Sequence, residues 1–528
     1  MVYLPVGEGP WPVAFTRTPY GNIQGDQLVL GQEYAKRGMG FIQQYCRGKG
    51  GSEGEYVANE DERADGIASL NWLAEQEWCE SIGMHGLSYM ALTTWIVGDS
   101  LPDKVKALHV QQYGVDRQLS LYKDGLVRVD VITAWTMQNV PMAAAYEYDS
   151  YIAAAQYLPQ IGVPATLWGT ELPDYIDWVN HPNYQDAYWN QGVWGDLKNA
   201  IDKIDVPVTV VAGIYDHHLQ GTLEGYNRLN NSTKAQSRLV LGPWVHGFGN
   251  AIQQFTEAKN IGGNMTLDTF NWLYNLCALK NEPDPGIEVY FIGEDKWVEL
   301  DSWPIIPEDS ATYYLTNQDT ASNGTAFALQ SSAETEGKTM TYVYDPTNPK
   351  WTEGGETLLT SGKLRGSKPL SSAGYRDDVL TFITDPLTEN LSIAGEISVK
   401  LFVSTDMEDT AFAITVSEIG SDGTAYNIRN GITTLGYRND PLGNRQTYTP
   451  GEIVEINIDT LPMTWNVKEG NRIRVDISSS NFPEYSIHTN TAGSWAEQTE
   501  YNVANQVIYL GGETPSSITF PTIDLTKR

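Results

Sequence analysis

The run Ile82-Gly83-Met84-His85-Gly86-Leu87-Ser88-Tyr89-Met90-Ala91 joins an apolar stretch to a helical one through Gly-x-Ser. A strand, a sharp turn and a helix in that order build a nucleophile elbow. Such a turn lifts the Ser88 hydroxyl above the edge of a sheet. It also turns the Tyr89 backbone N–H toward the start of the next helix, where an oxyanion can be stabilised. Met90 stands where a strict G-x-S-x-G has its second glycine. A serine that only caps the following helix is the competing reading of the same residues.

A serine hydroxyl is a poor nucleophile near neutral pH and needs a base. Seven histidines are available: 85, 109, 181, 217, 218, 246 and 488. In a nucleophile-elbow enzyme the acid follows the serine on a later strand and the histidine comes last. Asp216 comes after the apolar run Val208–Gly213, in Gly213-Ile214-Tyr215-Asp216, and His246 lies in the loop Leu241-Gly242-Pro243-Trp244-Val245-His246-Gly247. An acid and a base leaving neighbouring strands reach the sheet edge that carries Ser88. His246 would then accept the Ser88 proton and Asp216 would orient the imidazole. His85, His109 and His181 read as structural. His217 and His218 adjoin Asp216 and are candidates to line a pocket, and His488 is a candidate for a domain interface.

Other chemistries find little support. There is no H-E-x-x-H and no EF-hand spacing, and Gly48-Lys49-Gly50-Gly51-Ser52 lacks the P-loop order. No G-x-G-x-x-G follows a strand. Glu53, Glu55, Glu60 and Asp61 read as a solvated loop rather than a glycosidase pair. No metal and no cofactor are expected.

The chain has 528 residues, room for two to four domains, and is 41% hydrophobic, enough for a large core. Lys and Arg total 34 against 66 Asp and Glu, a net charge of −32, with no basic cluster. That balance repels phosphate backbones and anionic lipid, so nucleic acid and membrane surfaces are not expected partners. No run of 18 apolar residues exists to span a bilayer. Cys46, Cys79 and Cys277 are sparse and odd in number, which fits a reducing compartment. With no basic and apolar leader at Met1–Pro10, the expectation is a cytoplasmic protein.

Residues 1–115 alternate strand-like and helix-like stretches, which implies a mostly parallel sheet with helices on its faces. Asp61–Glu75 is the clearest amphipathic helix. Residues 116–198 are rich in Ala, Tyr and Trp and read as a helical insertion, with a helix expected over Val140–Ala155. The α/β pattern resumes over 199–304. From 305 to 528 short alternating runs such as Ile397–Ser404, Ala411–Glu418 and Arg472–Ser478 read as an antiparallel β-sandwich. The insertion should roof the pocket. Trp135 is the substrate-binding candidate taken from it with His218 from the acid loop, and Met137, Tyr146 and Trp178 are further lining candidates that core packing would equally explain.

Several separate stretches also resemble one known group, the cocaine esterase and X-prolyl dipeptidyl-peptidase family of serine hydrolases. Arg17-Thr18-Pro19-Tyr20 looks like its R-x-P-Y segment, and Arg47-Gly48 with Ser52-Glu53-Gly54-Glu55 like its R-G-x-x-x-S-E-G-E loop. Asp65 through Trp72-Leu73, the elbow at Gly83 to Tyr89, His181-Pro182 with Tyr184 and Trp189, Gly242-Pro243-Trp244-x-His246 and Ser478 to Pro483 are similar to further family motifs, in order. The resemblance implies an α/β-hydrolase core, a helical cap and a jelly-roll. It matches Ser88 to the nucleophile, Asp216 to the acid and His246 to the base. It also matches Tyr20 to a tyrosine whose hydroxyl joins the Tyr89 N–H in the oxyanion hole, a role that spacing alone does not give it.

One branch of the family carries acidic residues just after the catalytic Asp, for a substrate ammonium. Here those positions are His217, His218 and Leu219. The leading expectation is a hydrolase cleaving a small-molecule carboxylic ester or amide through an acyl-enzyme, with the homodimer an open assembly. An X-prolyl dipeptidyl peptidase and a catalytically inactive binding protein on the same scaffold are the alternatives.

Overall fold

The computed structural model describes the chain apart from residues 22–23, 263–264, 321–323, 359–363 and 439. Among the described residues, a nine-stranded sheet carries the first half of the fold. Its order across the sheet is Val2–Tyr3, Gly40–Tyr45, Trp11–Thr18, Cys79–Leu87, Val105–Gln111, Val208–Tyr215, Arg238–Val245, Gly286–Phe291 and Lys296–Glu299. The seven inner strands run parallel and the two edge strands antiparallel. Parallel strands are covered on both faces, and Val208–Tyr215 is buried along its whole length. Helices Glu62–Glu75, Tyr89–Trp95 and Leu219–Arg228 form the connections.

The order reverses between Trp11–Thr18 and Cys79–Leu87. From the first of these the chain steps outward to Gly40–Tyr45, then returns to the other side for the second. A reversal of this kind opens a crevice beyond the carboxyl ends of the two strands. Tyr20 follows one of those ends and Ser88 follows the other.

The segment between Val105–Gln111 and Val208–Tyr215 is mainly helical, with one two-residue hairpin, Tyr122–Lys123 against Leu126–Val127. The expected helix over Val140–Ala155 is corrected. Helix Val129–Asn139 ends first, residues 140–147 are irregular, and the next helix is Tyr148–Gln156. Pro141 accounts for the break, because it disfavours helical backbone at Val140 and lacks an amide hydrogen.

The second half is a 13-stranded, mostly antiparallel β-sheet system. Strands Ser398–Thr405 and Val454–Asp459 alternate buried and less buried positions, as a two-faced sheet requires. This all-β unit packs directly behind the crevice. Arg429, wholly buried, donates to the Ile214 carbonyl at 2.6 Å, and the Tyr215 hydroxyl donates to the Ile428 carbonyl at 2.8 Å. Both contacts fall within two residues of Asp216.

Charged groups lie buried where helix Val129–Asn139 meets the all-β unit. Arg128 reaches the Tyr485 hydroxyl at 2.9 Å, and Asp130 accepts from the Leu358 backbone N–H at 2.8 Å. Burial pushes the Asp130 carboxyl up to about 7, against the pull of Arg128. Its folded value thus lies above the unfolded value of about 3.9, so the stability it contributes is lost as pH rises from about 4 through about 7. Asp130→Asn, which keeps the acceptor, should gain stability relative to wild type by about 2–3 kcal/mol between pH 5 and pH 8. Denaturant unfolding of both proteins at the two pH values measures that difference. An unchanged difference would contradict the assignment.

Candidate active site

Ser88 occupies the turn between strand Cys79–Leu87 and helix Tyr89–Trp95, with φ 60° and ψ −130°. A non-glycine residue held there carries about 1–3 kcal/mol of strain, of the sort found where geometry serves function. Two residues earlier, a Cβ on Gly86 would lie 2.1 Å from the Met90 carbonyl group, so the turn needs glycine at that point. Met90, at the position where the strict motif has glycine, is half-buried and accommodated. The Ser88 side chain makes no capping bond to its helix; its hydroxyl faces His246 instead.

His246 Nε2 lies 2.9 Å from Ser88 Oγ, and His246 Nδ1 lies 3.0 Å from Asp216 Oδ1. The His218 backbone N–H also donates to Asp216 Oδ1, at 3.1 Å, and His217 Nδ1 stands 3.1 Å from the same oxygen. Asp216 is wholly buried. Burial opposes its ionisation, but the pull of His246 and the bonds from His217 and His246 outweigh it and hold its carboxyl well below the usual range. Burial pushes His217 down to about 3, against the pull of Asp216, and lowers His218 strongly as well, so both rings are neutral at neutral pH.

Two residues hold the His246 loop through three hydrogen bonds. Gln112, itself buried, donates to the Val245 carbonyl at 3.1 Å and accepts from the Gly247 N–H at 2.7 Å. Arg365, from the all-β unit, donates to the His246 carbonyl. Neither residue stood out in the sequence, because each acts on backbone far away along the chain.

The Tyr20 side chain shares the cleft with Ser88 and Trp135. Burial raises its pKa, so it remains a donor. The Tyr89 ring stacks at 4° on Trp135, and its hydroxyl donates to Glu62 at 3.0 Å and accepts from the Asn59 N–H at 2.6 Å. Glu62 in turn pairs with buried Arg17 at 2.9 Å. The Arg17-x-Pro-Tyr20 segment thereby anchors the elbow helix from behind and delivers Tyr20 to its front.

A narrow cleft of about 20 Å³ opens at Ser88. Tyr20, Tyr89, Trp135, His217 and His218 line it, as do Asn59, Tyr113, Arg117, Val131 and Leu358, which the sequence did not single out. Among the described residues, none of those lining it is acidic. Met137, Tyr146 and Trp178 are not in the lining; Met137 and Trp178 are buried in the packing around it. Two grooves on the all-β unit, of about 890 and 860 Å³, are far roomier, yet neither is lined by Ser88, Asp216 or His246. Convergent chemistry, not volume, locates the site.

The remaining histidines are accounted for. His109 Nε2 pairs with Asp268 at 3.1 Å, His181 Nδ1 contacts the Asp177 carbonyl at 2.7 Å, and His85 stacks on Tyr34. His488 accepts from the Asn490 N–H within the all-β unit. Among the described residues, Asp216, His217 and His246 also have a donor set for a divalent cation, with ligand atoms within 4.8 Å. A cation there would take His246 Nδ1 from Asp216, so that use and proton transfer exclude each other.

Two family models match the chain. The X-Pro dipeptidyl-peptidase (S15 family) model covers residues 1–248, and the X-Pro dipeptidyl-peptidase C-terminal non-catalytic domain model covers residues 280–519. Together the two models span most of the chain, which belongs to the cocaine esterase and X-prolyl dipeptidyl-peptidase-like family of serine hydrolases. It is a hydrolase enzyme. It is 29% identical to the cocaine esterase of Rhodococcus sp. (strain MB1 Bresler), over 99% of this chain and 95% of that one. Among solved structures, an α-amino acid ester hydrolase aligns with a TM-score of 0.81 at 21% identity, covering 99% of this chain and 94% of that one. An aminopeptidase from a Thaumarchaeota archaeon aligns with 0.80 at 21% identity, covering 99% and 93%. At that identity the two structures speak for the fold: an α/β-hydrolase unit followed by an all-β unit. No described helix is long and apolar enough to cross a membrane.

Proposed function

We propose that this family member is a serine carboxylic-ester hydrolase working through an acyl-enzyme. The observation that carries the reading is the chain of contacts Ser88 Oγ, His246 Nε2, His246 Nδ1, Asp216 Oδ1, with steps of 2.9 and 3.0 Å. His246 takes the Ser88 proton as Oγ attacks the carbonyl carbon. Asp216, ionised in its buried site, fixes the tautomer and stabilises the imidazolium. The Tyr20 hydroxyl and the Tyr89 N–H donate to the developing oxyanion. His246 then protonates the leaving group, and a water activated by the same imidazole deacylates Ser88. We assign the hydrolase core to residues 1–115 and 199–304, the cap to 116–198 and a jelly-roll to 305–528.

The peptidase alternative needs an anionic group to hold a substrate's N-terminal ammonium. Among the described residues, the lining of the cleft beside Ser88 includes no acid and carries Arg117 instead. That favours an ester or amide without an ammonium. The enzyme is therefore expected to hydrolyse p-nitrophenyl butyrate at least tenfold better than Ala-Pro-p-nitroanilide in kcat/KM. The reverse preference would establish the dipeptidyl-peptidase reading in its place.

A further inference from the structure

A buried cation sits in this cleft without a counter-ion. Arg117 is 7% exposed, and among the described residues no carboxylate lies within 4 Å of it. The neighbouring Asp116 is already taken by Lys198, at 2.9 Å. Aromatic rings of Tyr113, Trp178 and Trp194 surround the guanidinium at 5.7–5.9 Å. Its Nε, buried, has no hydrogen-bond partner. Arginine carries five donors and stays charged when buried. Holding a charge out of water is costly unless a partner answers it. Among the described residues, the other polar side chains that share the lining with Arg117 are neutral: Tyr20, Ser88, Asn59, Trp135, His217 and His218, with the Tyr89 hydroxyl turned to Glu62.

We propose that Arg117 is the specificity residue of this site and that the substrate carries a second, ionised carboxylate, seated against the guanidinium while Ser88 attacks the ester or amide carbonyl. This rests on the serine-hydrolase reading above. The planar fork of arginine matches a carboxylate with two parallel hydrogen bonds. The preference also runs against the net charge of −32, which disfavours anions at the surface, so discrimination has to come from this buried contact.

The test uses isosteric pairs in which only the carboxylate charge changes. For the acyl half, monomethyl glutarate is compared with methyl glutaramate; for the alcohol half, 3-acetoxybenzoate with 3-acetoxybenzamide. In one of the two pairs kcat/KM should favour the carboxylate about 10- to 100-fold, and the responding pair identifies which half the pocket holds. In Arg117→Gln that ratio should fall to near one, mainly through KM, while Arg117→Lys should keep part of it. Labelling of Ser88 by a fluorophosphonate monitors folding, and the wild-type ratios decide the matter if Arg117→Gln does not fold. Ratios of one or less in both pairs, from an enzyme that turns over the neutral esters, would overturn the carboxylate proposal and leave the hydrolase reading standing. No turnover and no labelling of folded enzyme would bring down both.

Discussion

Ser88→Ala is expected to lose about a million-fold in kcat on p-nitrophenyl butyrate, with its unfolding midpoint close to wild type. The hydroxyl is the only group of Ser88 that the proposed chemistry uses, and its place 2.9 Å from His246 Nε2 is where a base can take its proton. Removing the nucleophile from a working triad costs about as much as removing the whole triad, because the three groups act as one unit. Alanine accepts the φ of 60° no worse than serine does, and the Ser88 side chain makes no capping bond whose loss would unfold the helix. Steady-state kinetics and thermal unfolding of the same preparation check both halves. Activity within tenfold of wild type in the folded variant would contradict the assignment.

Asp216→Asn should be nearly as damaging, at about 10⁴ in kcat. The buried carboxylate accepts from His246 Nδ1 and from the His218 amide through one oxygen. An asparagine oxygen that keeps the His218 amide can still meet the ring, but without the negative charge that stabilises the imidazolium. If the amide turns to present its NH₂, it favours the tautomer with the proton on Nε2, which can no longer accept from Ser88. Fluorophosphonate labelling should slow in parallel with kcat, since both report Ser88 nucleophilicity. A variant within tenfold of wild type in both rates would show that Asp216 does not orient the base.

The elbow and its two partners were legible because each combines a local backbone pattern with a chemically distinctive side chain. Gly86-x-Ser88 follows an apolar strand, and Asp216 and His246 follow two more. Tyr20 was different. Its nearness to Ser88 depends on two strands, Trp11–Thr18 and Cys79–Leu87, lying side by side, an adjacency no local pattern encodes; only the family resemblance pointed to it. Arg117, Gln112 and Arg365 were not legible at all. Their roles arise where a helical segment, a strand end and the all-β unit converge, and an arginine in sequence gives no sign that it will be buried without a counter-ion. The helix expected over Val140–Ala155 failed for a local reason, Pro141, in a segment whose composition is helical but whose backbone is interrupted.

Peptide mapping of the protein after reaction with a fluorophosphonate identifies the nucleophile outright. A single adduct on the Ser88 hydroxyl is expected, strongly slowed in His246→Ala. An adduct on a different serine, or a folded protein that takes none, would contradict the assignment of Ser88.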